Sequence, residues 1–338
     1  WTQGTNGDFG EAVKNQVFQK EGTGAFVWIG GTYLDSLISS YTLTNLAGGT
    51  TYTFRVSRSA PGDTESTPLD VDTPSMTTVV NFGTRQFNFI QGVLEQTWIS
   101  PGDGTILVWA QGAKGGNWYR QLGGSGGWIA VEIDVKKDVA YRIVVAKQAI
   151  VGNHSTKHGA GGGGASGLFD PTTGRWMVIA GGGGGASDSG TGGAGGYRYT
   201  WNGFNGTGPT KSFGKPGTMT SGGLGGTGKR SGSAGALRNG GGGSTEGLGT
   251  YLGGVGVGTG GTGGKGVIDY AGGGGGGGWF GGGGGGTDTL GHSGGGGGGS
   301  SYYDRTNTNV RLSATQSSQK YLTGAFGNNG YVRITTAP

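Results

Sequence analysis

Between residues 51 and 56 the chain alternates. Tyr52, Phe54 and Val56 fall on one face of an extended segment, with Thr51, Thr53 and Arg55 on the other. Preceded by the turn Ala47-Gly48-Gly49, this period of two predicts a half-buried β-strand. Two further strands are expected upstream, at residues 25–29, which run into Gly30-Gly31, and at 41–46. A second β system opens after Phe82, with strands expected at 87–93, 95–99, 105–110, 128–134 and 141–146, and turns at 101–104 and 136–138. The apolar run 175–180 leads straight into Gly181, the run 267–271 leads into Gly272, and residues 330–334 close the sheet.

What separates these strands is glycine. Residues 272–278, 281–286 and 294–299 are uninterrupted glycine, and residues 159–300 hold 64 glycines in 142 positions. An α-helix does not tolerate such a run, since each glycine costs roughly 1 kcal/mol against alanine in a helix interior. A conventional strand gains no side-chain packing from it. Two states remain, a flexible linker or left-handed polyproline-II-like rods that approach one another closely because no Cβ intervenes. Ordering costs about 1–2 kcal/mol per residue, so a folded array requires dense inter-rod hydrogen bonding and flanking apolar contacts. The apolar runs at 175–180 and 267–271 supply such flanks, which favours ordered rods.

Residues 41–56, with their Tyr-Thr-Leu-Thr-Asn-Leu and Thr-Tyr-Thr-Phe-Arg-Val segments, resemble the second half of a fibronectin type III domain. Residues 66–74 fit its final strand, while its opening strands are short or missing here. From residue 83 a second resemblance runs to 335. It rests on the ordered motifs Gly-Thr-Ile-Leu-Val-Trp-Ala (104–110), Trp-Met-Val-Ile-Ala-Gly (176–181), the glycine tract 271–286 and Gly-Tyr-Val-Arg-Ile (330–334). Their order resembles the glycine-rich extracellular domain of anaplastic lymphoma kinase and leukocyte tyrosine kinase. The resemblance implies an all-β fold: a fibronectin-III-like module over 1–76, a linker at 77–82, and a tumour-necrosis-factor-like (jelly-roll) β-sandwich over 83–158 plus 301–338. A polyglycine-rod bundle is inserted at 159–300. The receptors' disulfides, transmembrane helix and kinase have no counterpart in this sequence, so signalling does not carry over, and no ligand-binding residue is matched.

Composition narrows the chemistry. Charged residues are 13% of the chain, the net charge is +5 and no basic run marks a nucleic-acid face. There is no cysteine and no apolar stretch of membrane-spanning length. The start at Trp1 reads as a mature or trimmed piece of a longer product. Residues 123–127 and 291–295 satisfy G-x-S-x-G, but a nucleophile elbow needs a strand before the serine and a helix after it, and glycine flanks both. His154 and His158 are four apart without the glutamate of a zincin. No catalytic, cofactor or metal site is therefore expected.

Asn153 and Asn205 stand in N-glycosylation sequons. Trp118, Tyr119, Trp201, Phe204, Trp279 and Phe280 lie in polar or glycine-rich surroundings, where aromatics cap the ends of rods or anchor a partner. Among these, Trp118, Tyr119, Trp279 and Phe280 are the candidate partner-binding residues. The resulting expectation is an extracellular, non-enzymatic structural protein whose subunits join head to tail by strand addition. Tyr331, Val332, Arg333 and Ile334 would be the assembly strand. An adhesin or phage-type receptor-binding tip is the alternative, and a ligand-binding ectodomain fragment a third; glycans or a cell-surface receptor are the partners those readings require.

Overall fold

The computed structural model describes residues 14–29, 34–35, 43, 46, 50–59, 69–72, 76–77, 81–197, 201–209, 211–245, 252–266, 268–314 and 328–337. It divides into two compact units, residues 1–81 with 102–104, and residues 82–101 with 105–338. All of its regular structure is β, and no helix is assigned over an α-helical stretch among the described residues.

In the first unit, β1 (Lys14–Glu21), β2 (Val27–Trp28), β3 (Leu34–Asp35), β4 (Thr51–Ser59), β5 (Leu69–Asp72) and β6 (Met76–Thr77) form one antiparallel sheet. Its main path is β2-β1-β4-β5. The alternation at 51–56 produces β4, with Tyr52 and Phe54 buried and stacked at 6.1 Å. Arg55 lies opposite Asp72 on β5 and forks onto its carboxylate at 2.7 and 3.1 Å. The strand expected at 25–29 shrinks to the exposed pair Val27–Trp28. Its place in the sheet is taken by β1, a polar stretch whose whole length pairs with β4, Val17 opposite Val56. Long-range pairing overrides local hydrophobicity there. The strand expected at 41–46 lies outside the described residues except for Leu43 and Leu46, which carry no strand assignment.

The second unit holds two five-stranded sheets. Its strands are β7 (Thr84–Asn88), β8 (Gln96–Ile99), β9 (Gly104–Gln111), β10 (Trp128–Val135), β11 (Ala140–Val144), β12 (Ser166–Asp170), β13 (Arg175–Ala180), β14 (Tyr302–Tyr303), β15 (Val310–Leu312) and β16 (Tyr331–Thr336). One sheet runs β15-β10-β9-β16-β7, the other β14-β13-β12-β11-β8. The sheets approach where β10 meets β13 and β12 meets β16. Between them lie Ile106 and Val108, Ile129 and Ile133, Ile143, Leu168, Ile179 and Ile334, all fully buried. The strand expected at 87–93 is corrected to Thr84–Asn88, because Ile90 and Val93 close a tight turn whose bridge ends the pairing with β16.

One expectation fails here on plain geometry. Tyr331, Val332, Arg333 and Ile334 cannot serve as an assembly strand, because β16 is paired along both edges within its own chain. Val332 faces Ala110 of β9 on one side and Phe87 of β7 on the other, and its side chain is wholly buried. Edge strands accept a further strand; a central one has no free backbone groups to offer.

The glycine tracts carry almost no helix or strand assignment, yet their backbone hydrogen bonds are ordered with a period of three. In residues 272–277, Gly273 and Gly276 donate to Gly294 and Gly297, Gly274 and Gly277 to Ala160 and Gly163, and Gly275 to Gly241. The carbonyls of Gly272 and Gly275 accept from Gly264 and Gly261, those of Gly273 and Gly276 from Gly285 and Gly282, and those of Gly274 and Gly277 from Gly185 and Gly182. One segment thus bonds six different neighbours, three by donation and three by acceptance. Residues 159–164, 181–186, 281–286 and 294–299 show the same six-fold environment, and all five segments are buried throughout. A Cβ placed on Gly275 would sit on the carbonyl oxygen of Gly282, far inside van der Waals contact.

The segments around these five obey a different rule. Leu224 and Thr227, then Ser231, Ala234 and Leu237, then Thr259, Thr262 and Lys265, then Thr191, Ala194 and Tyr197 recur every third residue and are exposed or half-buried. In these series a peripheral segment turns one residue in three away from its neighbours, where a side chain is accommodated, and segments such as 231–237 and 202–207 carry further side chains between those positions. Residues 112–116 and 123–127, between β9 and β10, join the same lattice through Ala113 to Gly164 and Gly124 to Gly184. The apolar run at 267–271 is corrected from a strand: exposed Ile268 and half-buried Asp269 form a bend, and only Ala271 of the described residues there is buried.

Candidate recognition surface at the loop end

Glycine segments that run back and forth place their connections alternately at two ends. Every connection at 117–122, 151–158, 187–190, 208–211, 227–231, 265–271 and 287–293 falls at the end away from the sheets. Contacts between these loops bear this out. Trp118 is 4% exposed and packs its ring 5.2 Å from His154 and 5.5 Å, edge-on, from Tyr270. Tyr119 lies 5.3 Å from His154 and is 68% exposed. Its φ of 42° is left-handed, an uncommon state for a bulky residue, held by the paired hydrogen bonds of Trp118 and Gln121 across a two-residue turn.

The carboxylates at this end act as loop staples. Asp269 accepts from Lys229 at 2.6 Å and Arg230 at 2.8 Å, and these two hydrogen bonds hold its pKa below the usual carboxylate range. Asp288 accepts the amides of Leu290 and His292, both at 2.9 Å. Asp188 takes the amide and hydroxyl of Ser293 at 2.8 and 2.6 Å. The Ser293 hydroxyl of the second G-x-S-x-G match is thus buried on a carboxylate and on the Ala271 carbonyl, with neither a strand before it nor a helix after it. Burial, with Lys265 adding repulsion, lowers the pKa of His158. Among the described residues no three histidine, aspartate or glutamate side chains converge as metal ligands, and no helix is long and apolar enough to cross a membrane.

The structure parts the four candidate aromatics. Trp118 and Tyr119 belong to the loop end. Trp279 and Phe280 sit at the sheet end, beside β14. There Trp279 stacks on Tyr302 at 4.1 Å beneath the Arg238 guanidinium, and Phe280 donates its amide to Ser300 Oγ at 3.0 Å. Trp201 is buried edge-on to Tyr303, and Phe204 stacks on Tyr197 at 5.0 Å on the bundle's flank. Asn153 is half-buried, its side-chain oxygen accepting from Ser155 Oγ and the Thr156 amide. Asn205 is exposed on a peripheral segment, and Thr207 of its sequon hydrogen-bonds Thr191.

Six exposed aliphatic loop-end residues escaped the reading of the sequence: Leu122, Ile150, Val151, Leu252, Ile268 and Leu290. The signal that reveals them is positional. They lie in or beside interruptions longer than the single non-glycine residue that a peripheral segment admits. No protein-family model matches the chain, and no curated protein matches it.

Proposed function

We propose that this chain is a non-enzymatic extracellular recognition module. In this reading a bundle of polyglycine, polyproline-II-type rods is carried on a tumour-necrosis-factor-like β-sandwich and holds the loop end as a binding tip. The observation that carries it is the sorting of side chains by the bundle. Its interior is almost wholly glycine, with alanine the exception, its flanks carry side chains recurring every third position, and exposed Tyr119, Ile268 and Leu290 stand at one end. Rigid scaffolds that present clustered, chemically varied loops are a recurrent solution for recognition. The resemblance to the glycine-rich receptor ectodomains agrees with the rod-and-sandwich arrangement, and the partner of a tip of this kind is a component of a cell envelope.

The test is adhesion of the labelled full chain to a panel of cell envelopes. Binding to at least one of them is expected, lost in the triple substitution Tyr119→Ala, Ile268→Ser, Leu290→Ser and retained in Trp279→Ala at the opposite end. Equal binding by the triple variant, or no binding anywhere, defeats the reading.

A second reading, a subunit of a self-assembling fibre, draws on a different feature. Strands β7 and β8 are each one edge of their sheet, and the chain from β7 to the end of β8 carries exposed Ile90, Val93, Leu94 and Ile99. Unpaired edges beside apolar side chains favour strand addition. Leu94→Lys with Ile99→Lys is expected to hold the chain monomeric in mass photometry if this edge polymerises it. Polymers that survive the pair of lysines would remove the edge from consideration.

A further inference from the structure

The loop end combines two properties that rarely share a surface. Its most exposed aliphatic side chains stand on separate loops, Leu290 at 79%, Ile268 at 74% and Leu122 at 60%, while Ile150, Val151 and Leu252 lie together, the Ile150 amide donating to the Leu252 carbonyl. Large apolar groups at loop tips, separated by polar backbone, do not make the contiguous patch of a protein–protein core. They are the shape of anchors that enter a soft medium one by one. Around them, among the described residues, six cations, Arg120, Lys157, Lys211, Lys229, Arg230 and Lys265, face three carboxylates, Asp188, Asp269 and Asp288. The carboxylates are already engaged. Asp188 is held by Ser293, Asp288 by two amides, and Asp269 by two cations at once. The balance of charge at the tip is therefore positive.

The loops concerned are contiguous. Lys157 Nζ bonds the Ile268 carbonyl and lies 5.6 Å from the Tyr270 ring centre. Tyr270 donates its amide to Gly291, next to Leu290, and Arg230 bridges to Thr287 on the same loop. Aliphatic tips and cations thus belong to one face.

Resting on the reading of this end as a binding tip, we propose that its partner is the surface of an anionic lipid bilayer. Leu290, Ile268 and Leu122 would enter the acyl boundary while the surrounding lysines and arginines meet lipid phosphates. Apolar burial and attraction to anionic headgroups add in such contacts, and each alone gives weak, reversible association. A rigid bundle loses little entropy on docking, because the loops are already stapled by Asp269 and Asp288.

The experiment is sedimentation of the full chain with vesicles of phosphatidylcholine alone or of phosphatidylcholine mixed with phosphatidylglycerol. Sedimentation with the mixed vesicles and release by salt are expected. Leu290→Asp should weaken it by about tenfold or more, the scale of one buried aliphatic side chain set against an added like-charge repulsion. Lys211→Glu should weaken it several-fold while leaving thermal unfolding unchanged. Absence of binding to the mixed vesicles, equal binding to phosphatidylcholine alone, or indifference to both substitutions overturns the lipid assignment. If the chain then still adheres to cell envelopes through the loop end, the tip stands and its partner is not lipid. If loop-end substitutions leave envelope adhesion unchanged as well, both conclusions fall together.

Discussion

Gly275→Val is expected to unfold the second unit or cost it several kcal/mol, the largest effect of any single change in the bundle. The Cβ would occupy the position of the Gly282 carbonyl oxygen, and next to it stands the Gly282–Gly283 backbone rather than a side chain able to swing aside. Relief would require separating two glycine segments whose hydrogen bonds to each other and to further neighbours then stretch as well. Even Gly275→Ala should be severe for that reason. Gly242→Ala supplies the contrast. Gly242 occupies a peripheral segment at the third-residue position between Asn239 and Thr245, and a Cβ there approaches only Ser233 Oγ and Thr262 Oγ1, both at 3.3 Å. Alanine at that site should change stability by no more than about 1 kcal/mol, with restriction of the unfolded chain offsetting the tight contact. Chemical denaturation of the pair of variants measures the difference. Similar costs for both would mean that the six-neighbour packing of residue 275 does not constrain it.

The second large effect is expected at the sheet centre. Val332→Pro should collapse the sandwich, by at least about 3 kcal/mol and with loss of the folded sheet signal in circular dichroism, since proline removes a ladder donor and sterically opposes a central strand. Val332 lies between Ala110 and Phe87 with no exposed surface. A fold that survives this substitution, with only assembly altered, would return residues 331–334 to an intermolecular role.

Much of the β architecture was legible in local pattern. The alternation Tyr52, Phe54, Val56 became β4, and the runs at 105–110, 128–134 and 175–180 became β9, β10 and β13 with small shifts at their ends. What failed had a non-local cause. Lys14–Glu21 is too polar to announce itself and is a strand because β4 pairs with it. Residues 331–334 read as a terminal strand free to join another chain, whereas their position between β9 and β7 depends on segments more than two hundred residues earlier. Within the glycine tracts the decisive information was present but spaced unexpectedly. Unbroken runs mark the buried segments, and a non-glycine residue at every third position marks the flanks, as in residues 221–227 and 259–265. The loop-end site was half visible. Trp118 and Tyr119 stood out as aromatics, but nothing in the linear sequence brings them beside His154 and Tyr270, since that proximity depends on how the distant glycine segments pair.

The six-neighbour environment of residues 272–277 also sets a timetable for biosynthesis. Those partners stretch from Ala160 to Gly297, and the run at 294–299 in turn bonds residues 182–185, 193–196, 204–207 and 214–217. An interior strand of one sheet, β16, is made later still. A ribosome emitting this chain therefore releases well over a hundred glycine-rich residues before the first buried glycine segment can be enclosed, and the sheet beside it waits for residue 336. Such distant pairings make closure slow and cooperative. The glycines that permit the final lattice also keep the nascent chain short of apolar surface while it waits, so the long delay exposes few groups on which chains could clump.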